Sequence, residues 1–147
     1  MGINYKGKQG KLNVKQEVEA VYNPIYLKFN FSYMHQDCFE ITAQQSANLT
    51  QTILGLSNRP WLQIMSEGKA TGFESIPLKS FSKIKMTEPV GIDSDYKFEI
   101  FDRKLSNKRD VFRIKNTQTG RMIGKIYRTT FYVFYLDFEG KAYNHGS

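Results

Sequence analysis

Four cations and a tyrosine near the C-terminal end of the chain are spaced to do chemistry together: Arg113, Lys115, Arg121, Lys125 and Tyr127. Residues two apart on a strand lie on one face. Between the two runs stands Gln118-Thr119-Gly120. A three-residue hairpin loop closes through a residue in the left-handed region, and Gly120 is placed to supply it. That register pairs Thr117 with Arg121, Lys115 with Ile123 and Arg113 with Lys125. One face then carries Arg113, Lys115, Arg121, Lys125 and Tyr127, while Phe112, Ile114, Met122, Gly124 and Ile126 fill the other. A loop one residue longer mixes the two sets, so their separation favours this register. Like charges side by side on a sheet repel, and a polyanion laid across them relieves the repulsion. The chemistry this predicts is binding of a phosphate backbone. Arg128 in the next turn extends the cationic stretch, and Tyr127 at a strand end offers a ring for stacking. Against it, a Lys/Arg-rich face also serves solubility, and Asp110 or Glu99 would neutralise part of the charge.

Other chemistries find little support. Gly68–Gly72 lacks the order of a phosphate-binding loop. His35 has no assignable Ser or Asp partner and reads as a surface histidine. Cys38 reads as a small apolar filler, with no flanking base to make a thiolate. One cysteine and two histidines, His35 and His145, leave no cysteine-cluster or histidine-rich metal centre. No metal or other cofactor is expected.

The elements that must position the cations follow from periodicity. Ile25, Leu27, Phe29 and Phe31 alternate with polar residues as in a half-buried strand. Thr42 and Gln45 have the spacing of a capping box, and a helix over roughly 42–56 follows. Its apolar residues are Ala47, Leu49, Ile53, Leu54 and Leu56. Pro60 suits the first turn of a second, short helix whose Trp61, Ile64 and Met65 share a side. From residue 96 onward the pattern turns to strands: Tyr96–Phe101, Val111–Lys115, Arg121–Tyr127 and Phe131–Asp137. Short polar connections make these antiparallel neighbours. Phe131–Leu136 is apolar on both faces, which places it centrally, with a helix on one side and partial cover on the other. Glu139-Gly140 turns the chain back towards Ala142–Tyr143. The reading is an α+β fold: an N-terminal strand and two short helices packed on an antiparallel β-meander of four to five strands.

The 147 residues suffice for one domain, and 40% hydrophobic residues suffice for its core. Residues 1–15, with Gly2, Gly7 and Gly10 among lysines, read as a flexible basic arm. The net charge is +7, split as +3 over residues 1–30, −2 over 31–77 and +6 over 78–147. No apolar run is long enough to span a membrane, and the N-terminus has no signal-peptide core. A cytoplasmic protein without membrane partners is expected.

The succession Val111–Lys115, Gly120–Ile126, Phe131–Asp137 and Tyr143-Asn144-His145 resembles the end of RelE/YoeB-type toxins, the mRNA interferases of bacterial toxin–antitoxin pairs. The likeness covers about the last 40 residues. It implies an endoribonuclease whose functional positions are Arg113, Arg121, Tyr143 and His145. By that likeness Arg113 and Arg121 clamp the phosphate, His145 acts as general acid or base, and Tyr143 stacks on or positions a base. Lys115, Lys125, Tyr127 and Arg128 would hold the RNA. Expected partners are RNA or the ribosome and an acidic antitoxin-like protein. The N-terminal half departs from the family, which has a charged helical hairpin there, and no central acidic base is assignable. Phe73–Pro77 and the Phe131–Asp137 end also resemble small proteins of bacterial mobile elements. The alternative reading is therefore a non-catalytic module of a phage, plasmid or other mobile element that binds an acidic protein or nucleic acid.

Overall fold

The computed structural model describes residues 24–90 and 107–144. The flexible arm expected over 1–15, the strand expected over Tyr96–Phe101, Glu99 and His145 lie outside them.

Five strands form one mixed sheet: β1 (Lys28–Asn30), β2 (Phe73–Pro77), β3 (Lys108–Arg113), β4 (Arg121–Tyr127) and β5 (Thr130–Asp137), in the order β1-β5-β4-β3-β2. Four of them are antiparallel neighbours, as short connections require. The first strand lies parallel to β5 at the edge, Phe29 opposite Phe131. An antiparallel edge strand needs a tight reversal from its neighbour. This one precedes both helices in the chain and reaches the edge by a long connection, which is compatible with parallel pairing. The second edge strand, Phe73–Pro77, has no period-two pattern strong enough to announce it. It is half-buried except at the exposed Ser75 and ends in a proline, which edge strands tolerate.

Two helices cover one face: α1 (Ala43–Ser57) and α2 (Trp61–Glu67). The capping box is present, with Thr42 Oγ1 accepting from Gln45 N at 3.0 Å and Gln45 Oε1 accepting from Thr42 N at 2.9 Å. The helical face differs from the apolar set. Asn48, Thr52 and Leu56 are buried, whereas Leu54 is 57% exposed. Trp61, Ile64 and Met65 enter the core as their spacing predicts. With Leu27, Phe112, Met122, Phe131 and Val133 they form the larger apolar cluster between helices and sheet.

The opposite face carries a second, smaller core. Residues 78–90 run across it as short helical turns, and residues 138–143 return over it. Phe81, Met86, Ala142 and Tyr143 thereby pack on Val111 and Ile123. Arg109 ties this layer down from beneath, its Nε donating to Thr87 O at 2.6 Å. At the far end Asp137 accepts from Lys141 N and Ala142 N at 3.1 and 2.9 Å, which fixes the return after Gly140. The interior strand β5 is thus covered on both sides where both cores meet it.

One irregularity shapes β5. Ile123 pairs with Tyr135 but Gly124 pairs with Val133, so Phe134 is an extra residue, a β-bulge. Gly124 permits it, because a Cβ there would run into the Tyr132 carbonyl.

Candidate functional site

The hairpin register differs from the expected one. Arg113 lies opposite Arg121 and Phe112 opposite Met122, so the connection spans residues 114–120 rather than three residues. Gly120 does not take the left-handed conformation; Asn116 does, at φ 60°. The connection is held instead by side chains. Thr117 Oγ1 accepts from Gly120 N at 3.1 Å, and Asn116 Nδ2 donates to Gln51 Oε1 on α1 at 3.0 Å. Turn chemistry read from Gly120 alone missed the contacts of this connection to a helix 63 and 65 residues away in sequence. The shift in register is an even number of residues, so the apolar set Phe112, Met122, Gly124 and Ile126 still faces the helices.

The proposed basic face divides into three parts. Lys115 leaves it altogether, because β3 ends at Arg113. Lys115 N donates to Thr52 Oγ1 at 2.8 Å, and its ammonium lies beside Gly55 of α1, on the helical side of the sheet.

The second part gathers Arg113, Arg121 and Tyr143. Arg113 and Asp137 flank Arg121 on the neighbouring strands. Phe81 and Tyr143 form a bridge across the covering layer, with their rings 5.2 Å apart. Burial raises the Tyr143 hydroxyl pKa, while a hydrogen bond and the charge of Arg121 pull it back. Only Arg113 of the three is exposed. Arg121 is 9% exposed and donates from Nη1 to Gly120 O at 2.9 Å, and Tyr143 is 7% exposed. These three residues lie together, and two of them, Arg121 and Tyr143, are buried.

The third part is the end of the same face that the described residues leave open, beyond the second core. Cross-strand partners share a face, and the register builds two rows there. Lys28, Thr130 and Tyr127 form one; Asn30, Tyr132 and Lys125 form the next. The intervening row, Phe29, Phe131 and Ile126, points into the main core. Tyr127 is 42% exposed. Arg128, in the turn at φ 59°, sits with its guanidinium 5.4 Å from the Tyr127 ring centroid, within cation–π range. Tyr33 closes edge-on upon Tyr132 at 5.8 Å. The Tyr132 pKa is raised, chiefly by burial and further by Tyr33 and Tyr127, with Arg128 opposing. Sequence reasoning found Lys125, Tyr127 and Arg128 but not Lys28, Tyr33 or Tyr132. The alternation of Thr130 and Tyr132 with Phe131 and Val133 was the available signal for Tyr132.

A cleft of about 720 Å3 adjoins this end. Pairing between β3 and β4 stops at Asp110 and Gly124, and the two strands part. Asp110 bridges the fork, its Oδ2 accepting from Ile126 N at 2.7 Å and lying 3.9 Å from Lys125 Nζ. This carboxyl is 8% exposed. Desolvation raises its pKa, against the pull of Lys125 and the Ile126 amide. Asp110 is thus the neutralising neighbour that the sequence reading weighed for the basic face.

The remaining candidates are quiet. Cys38 is buried, and desolvation lifts its thiol pKa to about 11. His35 Nδ1 accepts from Asp37 N at 3.1 Å as a local cap. Among the described residues no three His, Cys, Asp or Glu side chains stand together as metal ligands, and no helix is long and apolar enough to cross a membrane. No family model matches the chain, and neither a curated protein nor a solved structure gives a match. What can be argued of activity therefore rests on these surfaces.

Proposed function

We propose that the protein binds single-stranded RNA on the open end of its sheet, through Tyr127 and Arg128 with Lys28, Lys125 and Tyr132 beside them. The observation that carries this is the pairing of the exposed Tyr127 ring with the Arg128 guanidinium next to a row of cations and tyrosines. A stacking ring gives sequence-tolerant affinity for bases, and neighbouring cations take the phosphates. The test is fluorescence polarisation of a labelled single-stranded RNA. Tyr127→Ala with Arg128→Ala is expected to weaken binding at least tenfold while the thermal midpoint stays within a few degrees. Unchanged affinity in that double variant overturns the proposal.

A second reading, cleavage of RNA in the manner of the interferases, draws on one observation: Arg113, Arg121 and Tyr143 converge at one end of the sheet. Burial of Arg121 and Tyr143 favours binding over cleavage, because a phosphate clamp must touch its phosphate. Labelled mRNA incubated with wild type, Arg113→Ala and His145→Ala, with and without ribosomes, separates the two. Cleavage lost in the variants supports the interferase reading; retention without cleavage supports the binding module. An acidic antitoxin-like partner remains an expectation of the interferase reading alone.

A further inference from the structure

The turn that joins β4 to β5 holds an arginine where the backbone favours a smaller residue. Tyr127 pairs with Thr130, so Arg128 and Thr129 are its two central residues. Arg128 takes φ 59° and Thr129 does not take a positive φ, the pattern of a type II′ turn. Glycine is the ordinary occupant of that first position, because a Cβ is crowded there. A strained residue at an exposed tip argues for a use of the side chain itself. The Arg128 guanidinium lies 5.4 Å from the Tyr127 ring centroid and, among the described residues, makes no hydrogen bond or ion pair. Laid over a ring, a guanidinium is held in place while its N–H edges stay open. Each edge offers two parallel donors, which match two acceptors side by side in one plane. Carboxylates and phosphates supply such acceptors, but neither has a flat body to continue across the Tyr127 ring, a residue 42% exposed. Guanine has both, with O6 and N7 side by side on a two-ring surface that stacks. Adenine has the same surface but sets an amino donor beside N7. Cytosine carries adjacent acceptors on one ring only, with less to stack.

We infer that this hairpin tip reads a guanine base, which lies beside the guanidinium over Tyr127 with O6 and N7 accepting from one edge of Arg128. The other edge of the guanidinium is left for the neighbouring phosphate. The inference rests on the RNA-binding reading and gives that surface a base preference. Lys28 stands in the row of Thr130 and Tyr127 and is exposed. Two strand spacings put it about 10 Å from Tyr127, in place for a further phosphate of the same strand.

The test uses the full chain and fluorescence polarisation of labelled uridine hexamers that carry one variable central residue. Guanosine there is expected to bind about tenfold more tightly than adenosine. Inosine keeps O6 and N7 and should match guanosine, while 7-deazaguanosine, which lacks N7, should fall to the level of adenosine. Arg128→Lys keeps a cation without the paired donors, so it should abolish the difference between guanosine and adenosine. Adenosine, cytidine or 7-deazaguanosine bound as tightly as guanosine overturns the inference on wild type alone, and a preference that survives Arg128→Lys overturns it too. So does retention of a polyglutamate peptide with none of the hexamers, which gives the guanidinium to carboxylates. Failure of the RNA-binding reading shows separately, as polarisation insensitive to the Tyr127→Ala, Arg128→Ala double variant.

Discussion

Asp110 and Cys38 are both buried ionisable groups, and their neighbours set opposite consequences. Asp110 closes the fork by accepting the Ile126 amide, so its replacements should separate the hydrogen bond from the charge. Asp110→Leu leaves a buried N–H without an acceptor, an expected loss of about 1–3 kcal/mol in denaturant unfolding. Asp110→Asn keeps the acceptor and sheds the desolvated charge, so it should cost clearly less. The pH dependence has a definite sign. A carboxyl whose pKa is raised on folding binds its proton more tightly in the native state. Its stabilisation is full below the ordinary carboxyl pKa and is lost as pH rises through the raised value. Thermal midpoints followed from neutral pH towards pH 4 should therefore move in favour of wild type relative to Asp110→Asn. Cys38 makes the simpler case. With its thiol pKa pushed up to about 11 and its sulfur accepting from Leu136 N at 3.2 Å, it should resist a thiol reagent at pH 8 in the native protein. Full labelling only after unfolding is the expected result, and rapid native labelling contradicts it.

At the scale of elements, the connection 114–120 shows where reading a sequence stops. Helical spacing in α1 and the capping box were legible, because each depends on residues three or four apart. The core-facing side of that helix was not, since Asn48 and Thr52 are buried for what they offer the connection: Lys115 N and Asn116 Nδ2 find acceptors there. Hydropathy ranks Leu54 above Thr52, whereas the tertiary contact reverses the order. Thr52→Val should accordingly destabilise by about 1–3 kcal/mol by orphaning the Lys115 amide, while Leu54→Ala stays within about 0.5 kcal/mol. Chemical unfolding of the two variants checks the contrast. The same limit governed the site. Strands β4 and β5 were readable from local pattern, and so was the side of the sheet that meets the helices; β5 is interior but next to the edge strand β1, with β4 at the centre. Which cations end up covered depends on residues 78–90 and 138–143 folding across the far face, and no local period announces a layer made of short turns.

Among the described residues, the second core divides one sheet face into a closed end with Arg121 and Tyr143 and an open end with Tyr127 and Arg128. Salt dependence can tell which end meets a nucleic acid. Each phosphate contact to a single strand contributes about 0.7 to the slope of log affinity against log salt concentration. Engagement by Lys28, Lys125 and Arg128 together gives a slope of about −2. Arg128→Ala should then flatten it by about 0.7, and Lys28→Ala by a similar amount. Arg113 is the control, because it is exposed and cationic but belongs to the closed end. If RNA lies on the open end, Arg113→Ala lowers the net charge by one and leaves the slope nearly unchanged. If the phosphate path instead runs past Arg113 towards Arg121, that variant flattens the slope and Arg128→Ala does not. The two paths bear differently on chemistry, for a strand held at the open end keeps its phosphates away from the buried Arg121 and Tyr143, whereas one held at Arg113 needs the covering layer of Phe81 and Tyr143 to move before the Arg121 guanidinium can touch it.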